Sequence, residues 1–189
     1  MKKSYYFENK YKKWFILSVF FIIFGGWCWY IPWASGISRN TILKKSVPEW
    51  ETYLSFGALI GVFSLVYAFY SPNFNKKLKD LSSAFFGGFC LGFVSILNCY
   101  DVCVYLFPGK IIGYESQYEV VFPGPSRGKY GHCEAGIWLK DQNTTRWIQL
   151  CTNREYLHSH RKQGMTGVWV SARVNKIGSY IVQYEFIYK

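Results

Sequence analysis

The stretch SSAFFGGFCLGFVSILNCYDVCVYLF, residues 82–107, decides how this chain is organised. It is apolar over almost its whole length and exceeds the roughly 20 residues that a helix needs to cross a bilayer. No comparable run follows it, and from residue 110 onward charged and apolar residues are mixed. The sequence therefore predicts a membrane part that ends near residue 107 and a water-exposed part after it.

Two earlier apolar runs predict further spanning helices, at about residues 14–34 and 50–71. Aromatic residues crowd the end of the first run, between Trp27 and Trp33, as is typical of a membrane–water interface. A cleaved signal peptide is the alternative for this run, but the run is long for one and its Trp-rich end is a poor cleavage site. We expect a retained helix that Pro32 ends or kinks.

The distribution of basic residues indicates the orientation. Residues 1–13 hold five lysines and residues 72–81 hold three, whereas the loop at 35–49 holds three Lys/Arg. Short loops on the cytoplasmic side of a membrane carry an excess of Lys and Arg. We therefore expect a cytoplasmic N-terminus. Three spans then place residues 110–189 on the other side, which is the periplasm for a bacterial inner membrane.

Small residues recur at fourfold spacing in the second and third runs. Gly57 and Gly61 form a GxxxG motif in one, and Gly88 and Gly92 lie at the same spacing in the other. Such stripes let two helix backbones approach closely. We expect the two helices to pack on each other; self-association of the chain through a stripe is the alternative.

Residues 110–189 predict a small all-β domain. Apolar and polar residues alternate in several short runs that are separated by Pro-, Gly- and Asn-containing turns, which is typical of strands and hairpins. The resulting order, β-β-β-α-β-β, is that of an OB-like barrel; an SH3-like barrel and an open sheet are the alternatives. The strands fall at about 114–122, 135–140, 145–151, 166–175 and 179–188, with a helix at 154–162.

Two of the six cysteines, Cys133 and Cys151, lie in this β domain. Paired cysteines in an oxidising compartment usually form a disulfide, so we expect these two to be bonded. The alternative is a zinc site that adds His158 and His160. Its spacing matches no standard zinc motif, and residues i and i+2 of a helix do not share a face. We therefore expect no metal and no cofactor.

Asp101 is the only acidic residue within the third apolar run, and Asn98 lies three residues before it. A carboxylate inside a bilayer is costly and marks a candidate functional site. Its place near the end of the third run favours an interfacial residue over an ion or proton pathway.

The formal net charge of +11 does not indicate nucleic-acid binding, because many of the lysines flank the apolar runs and no concentrated basic face follows from the sequence. No nucleophile–base motif or phosphate-binding loop is recognisable, so we expect a protein that is not an enzyme. The leading hypothesis is a bacterial inner-membrane protein whose outward domain binds a protein partner, as an immunity or exclusion protein binds a toxin. The alternative is an accessory subunit of a secretion or transport complex. The exposed-aromatic candidates for the binding surface are Trp138, Trp147 and Trp169.

Overall fold

The computed structural model describes residues 3–71, 77–127 and 131–188. Two of the lysines used for the orientation, Lys2 and Lys76, lie outside these ranges.

Among the described residues, three helical segments are long and apolar enough to cross a membrane: Tyr11–Ser38, Glu49–Tyr70 and Leu78–Leu106. The prediction of three such helices is confirmed. The first segment belongs to α1, Lys3–Ser38, and the second is α2, Glu49–Tyr70.

Helix α1 continues past Pro32 for more than a turn. Of the two outcomes expected at Pro32, the end of the helix is therefore wrong, and the kink stays a prediction. Proline removes one backbone hydrogen bond, but a proline inside a membrane helix is tolerated when neighbouring groups compensate.

The third segment is interrupted near its end. Helix α3, Leu78–Ile96, stops two residues before α4, Cys99–Leu106. Between them Asn98 has a φ of 63°, a left-handed conformation that Asn adopts more readily than most residues. The single helix predicted for residues 82–107 is thus two helices with a break at Asn98.

The rest of the described chain is mostly β structure with one short helix. The elements are β1, Thr41–Leu43; β2, Lys110–Ser116; β3, Tyr118–Val121; β4, Ala135–Lys140; β5, Trp147–Thr152; α5, Arg154–His160; β6, Gly167–Val174; and β7, Gly178–Ile187.

These strands form two antiparallel sheets, in the orders β1-β7-β6-β2 and β3-β4-β5. The strand predicted at 114–122 is divided at Gln117, and its halves β2 and β3 belong to different sheets. The described residues form no closed barrel. The structure confirms membrane helices followed by a β region, but not the predicted closure.

Strand β1 was not predicted. It comes from the loop between α1 and α2, and it pairs with the start of β7, where Thr41 lies opposite Tyr180 and Leu43 opposite Gly178. All three residues of β1 are buried. Because hydrogen-bonded strands are neighbours, this loop and the C-terminal strand lie on the same side of the membrane helices.

The main apolar core lies between the two sheets, where Ile137 from one sheet and Val168 and Val170 from the other are fully buried. A second cluster joins α1 to α4 through Ala34, Ile37 and Val102. Tyr105 and Tyr180 pack against that cluster.

Candidate functional site

The four glycines of the small-residue stripes lie in the contact between α2 and α3, and all are buried. A Cβ added to Gly61 would lie 2.9 Å from the Phe85 ring. One added to Gly92 would lie 2.8 Å from the Ile60 Cβ atom. The two small-residue stripes thus face each other within the chain, and a side chain larger than that of glycine would clash with the facing helix.

The predicted disulfide is present. Cys133 and Cys151 are joined with their Cα atoms 5.6 Å apart, and Cys151 lies on β5. Both sulfur atoms that the alternative zinc site would use are therefore bonded to each other. His158 and His160 lie on α5, where the ring of His160 stacks on Tyr156.

Asp101 lies in the first turn of α4 and is only 5% exposed. The side chain of Ser38, the last residue of α1, lies near its carboxylate. Asn98 caps the same helix through its backbone, since its carbonyl accepts the Val102 N–H at 3.0 Å. The predicted pair thus marks the place where α1 meets α4, and Asp101 lies inside the protein rather than on the exposed surface.

Asp101 and Asn98 line a cavity of about 360 Å³ between the helix ends and the β region. We call it the junction cavity. Its walls come from the end of α1, from β1, from the start of α2, from the end of α3, from the start of α4 and from the start of β5 with the residue before it. The polar and aromatic residues of its lining are Ser38, Thr41, Glu49, Trp50, Tyr53, Phe93, Asn98, Asp101, Arg146 and Trp147.

Three aromatic side chains form one continuous wall of the junction cavity. The ring centroids of Trp50 and Phe93 are 6.5 Å apart with nearly parallel planes. Tyr53 meets Phe93 edge to face at 6.2 Å and Trp50 at 6.3 Å. Trp50 remains 69% exposed, so the wall extends to the outside of the protein.

Sequence reasoning missed the role of Asp141, which is fully buried in the turn between β4 and β5. Its Oδ2 accepts hydrogen bonds from the Thr144 N–H and hydroxyl, both at 2.7 Å, and from the Ser179 hydroxyl at 2.9 Å. Its Oδ1 accepts the Tyr114 hydroxyl at 2.6 Å. Burial, and then the bond to Asp141, raise the pKa of Tyr114. This carboxylate therefore joins the hairpin turn to both β2 and β7.

A second surface feature lies around α5, where arginines pack on aromatic rings. The Arg161 guanidinium lies 5.4 Å from the Tyr118 ring centroid, and its Nε donates to the Tyr118 hydroxyl at 2.9 Å. The Arg154 guanidinium lies 5.5 Å from the Phe122 centroid. A depression of about 600 Å³ is lined by Phe122, Arg154, Leu157, His158 and Arg161. We call Tyr118, Phe122, Arg154, Leu157, His158 and Arg161 the α5 surface.

The spacing of Arg154, His158 and Arg161, at i, i+4 and i+7, was a sequence signal for this surface, because such residues share one helix face. The tryptophans predicted as binding candidates do not converge on it. Trp138 is half-buried in β4, while Trp147 lines the junction cavity. Trp169 covers Gly113, where an added Cβ would lie 2.7 Å from the indole.

Comparison with protein-family models, with curated proteins and with solved structures found no match to this chain.

Proposed function

We propose that this chain is a non-enzymatic protein of a bacterial inner membrane whose β region lies in the periplasm and binds a protein partner. The observation that carries the proposal is the α5 surface. Arginine and aromatic residues dominate the binding energy of protein interfaces, and here they lie next to each other around an open depression.

The pairing of β1 with β7 supports a topology with three spans. It requires the loop after α1 and the C-terminal tail to share one side of the membrane, as three spans predict. The lysine-rich N-terminus then belongs on the cytoplasmic side. The Cys133–Cys151 disulfide fits an oxidising compartment such as the periplasm.

An OB-like arrangement of the β region is part of this proposal. When β2 and β3 are treated as two halves of one strand, the strand pairs join in the order β5-β4-β3/β2-β6-β7. This order matches an OB-like barrel that is left open between its third and fifth strands. In such folds one face and its loops carry the binding residues.

The α5 surface lies away from the helix ends. The start of β7 contacts α4 through Tyr180 and Tyr105, whose centroids are 5.0 Å apart. Four residues farther along, Tyr184 meets Tyr156 of α5 at 5.9 Å. At a rise of about 3.3 Å per residue, the two contacts are roughly 13 Å apart along the strand. A partner can therefore reach the α5 surface from the periplasm, and the two arginines favour one with acidic side chains.

A toxin that reaches the outer face of the inner membrane is the partner class that we propose first, which makes the chain an immunity or exclusion protein. The second candidate, an accessory subunit of a secretion or transport complex, is favoured by α1. None of the residues in the most apolar window of this helix is buried. Phe20 and Ile22, for example, are 58% and 74% exposed. Helices of other subunits, as well as lipid, can cover such a face.

The test compares two double variants of equal charge change. Arg154→Glu/Arg161→Glu alters the α5 surface, and Lys110→Glu/Lys176→Glu alters two exposed lysines, one at the start of β2 and one in the turn after β6. A strain that lacks the gene is complemented with each variant and exposed to toxins made by sibling cells. Proteins bound to each variant are purified from membranes in mild detergent.

We expect the arginine variant alone to lose both protection and the bound partner. Protection by both variants, with membrane subunits retained by both, would favour the accessory role through α1. Equal loss of function in both variants would refute the assignment of binding to the α5 surface.

A further inference from the structure

The lining of the junction cavity contains three kinds of chemical group. Contacts within the chain do not explain why all three lie in one cavity. Glu49 and Asp101 supply two carboxylates, Trp50 and Phe93 supply aromatic faces, and Arg146 supplies a guanidinium. At about 360 Å³ the cavity lies near the lower end of the roughly 300–1,000 Å³ range of ligand sites. These groups suit a small ligand that carries both a positive and a negative charge.

The carboxylates and the aromatic wall suit an ammonium group. Aromatic faces attract cations, and ammonium groups donate charge-assisted hydrogen bonds to carboxylates. Asp101 lines the cavity and is only 5% exposed, and this burial limits competition from water. Glu49 is the first residue of α2, so its carboxylate and the ring of Trp50 come from adjacent positions of one helix.

Arg146 suits a phosphate at the same site. Its Nη1 donates to the Leu43 carbonyl at 2.8 Å, which holds the guanidinium against β1 at the edge of the cavity. A guanidinium has five N–H donors, so this bond leaves others for a ligand. Arginine is the usual residue for phosphate oxygens, which it binds in pairs.

The position of the cavity indicates where such a ligand comes from. Glu49 begins one candidate spanning helix, and Phe93 lies in the last turn of α3. The ends of spanning helices lie at the depth of lipid headgroups, where Trp is also enriched. Trp50 is exposed at the edge of the cavity and lies next to the first residue of α2, so we expect it at that depth.

We propose that the junction cavity binds the phosphoethanolamine headgroup of a phospholipid from the adjacent leaflet. The ammonium group lies between Glu49, Asp101 and the Trp50 ring, and the phosphate lies at Arg146. The bound lipid then connects the start of α2 to the β region at the membrane surface.

The test uses the full chain in non-ionic detergent micelles. Phosphatidylethanolamine and phosphatidylglycerol with identical acyl chains are titrated separately, and bound lipid is counted by native mass spectrometry. We expect the ethanolamine lipid to bind at least about tenfold more tightly, since loss of a charge-assisted hydrogen bond costs about this factor. Free phosphoethanolamine is titrated in parallel.

Glu49→Gln is the central variant, and Glu51→Gln is its matched control. Both residues lie in the first turn of α2, but Glu51 is exposed and does not line the cavity. We expect Glu49→Gln to weaken binding of the ethanolamine lipid about tenfold and Glu51→Gln to leave this binding unchanged. Trp50→Leu, which keeps an apolar side chain, should weaken it about fivefold.

Equal binding of the two lipids, or equal effects of the two Gln variants, would overturn the proposal. Binding of free phosphoethanolamine as tightly as the lipid would overturn its assignment to a membrane lipid. If Glu49→Gln does not fold, Trp50→Leu provides the test instead. An unchanged preference of Trp50→Leu for the ethanolamine lipid would then overturn the proposal.

Discussion

Gly88 and Gly87 are adjacent in α3, yet they should respond to alanine in opposite ways. A Cβ on Gly88 would lie 2.6 Å from the Cβ of Ser64 and 2.9 Å from the backbone oxygen of Ile60. Ser64 can change rotamer, but the Ile60 oxygen is part of α2 and cannot move alone. A Cβ on Gly87 would meet nothing within 4 Å.

The magnitude follows from these contacts. Overpacking a tight contact costs about 1–3 kcal/mol, whereas Gly→Ala in an unobstructed helix stabilises by up to about 1 kcal/mol. We therefore expect Gly88→Ala to be less stable than Gly87→Ala by about 2–3 kcal/mol. For a chain of this length that difference corresponds to a Tm lower by roughly 5–10 °C.

The assay is thermal unfolding of both variants in the same detergent, followed by circular dichroism. Equal Tm values would refute the close packing of α2 on α3. The molecular mass in the micelle is measured as well. An oligomer that Gly88→Ala alone converts to a monomer would show that the stripe joins two copies of the chain.

Three further predictions concern the β region. Replacing Cys133 and Cys151 by serine should lower the free energy of unfolding by about 3 kcal/mol relative to the oxidised wild type, measured by denaturation, and reduction of the wild type should cause a similar loss. Asp141→Asn should lower the free energy of unfolding by about 2–4 kcal/mol, because an amide cannot accept all the hydrogen bonds that the carboxylate accepts. Its control, Gln142→Ala at an exposed position, should lower it by less than about 0.5 kcal/mol. Since the pKa of Tyr114 is raised in the folded state, its neutral form stabilises the fold fully below about pH 10 and less as the pH rises above that value. Denaturation of Tyr114→Phe should show a smaller alkaline loss of stability, and an equal loss would contradict this role of the hydroxyl.

The membrane helices and the disulfide could be predicted from the sequence because each depends on a simple property. An apolar run of sufficient length has few alternatives to spanning, and two cysteines in one small domain have few partners. The break at Asn98 was less visible, since the residues around it are as apolar as the rest of the run. The Asn itself was the available signal, because it tolerates the left-handed conformation that the break requires.

Strand β1 and the arrangement of the sheets could not be predicted for a different reason. Thr41–Leu43 is too short for an alternation of apolar and polar residues to be recognised. Its burial depends on pairing with β7, which is far away in sequence. Likewise the division of the predicted strand at Gln117 depends on which strand each half pairs with. The residues of the junction cavity come from six helices and strands, so no local pattern marks it.

The pairing of β1 with β7 has a consequence for how the protein is made. The chain from Leu43 to Gly178 includes α2 and α3, so under the proposed topology it crosses the membrane twice before its two ends are joined by backbone hydrogen bonds. Further bonds, from Lys44 N to Ile177 O at 2.9 Å and from Ile181 N to Asn40 O at 2.8 Å, extend the same contact. Strand β1 is synthesised early, but its partner β7 comes more than 130 residues later in the chain. The β1–β7 pairing is therefore a late event, and it requires that the helices between the two strands have placed both on the same side of the membrane.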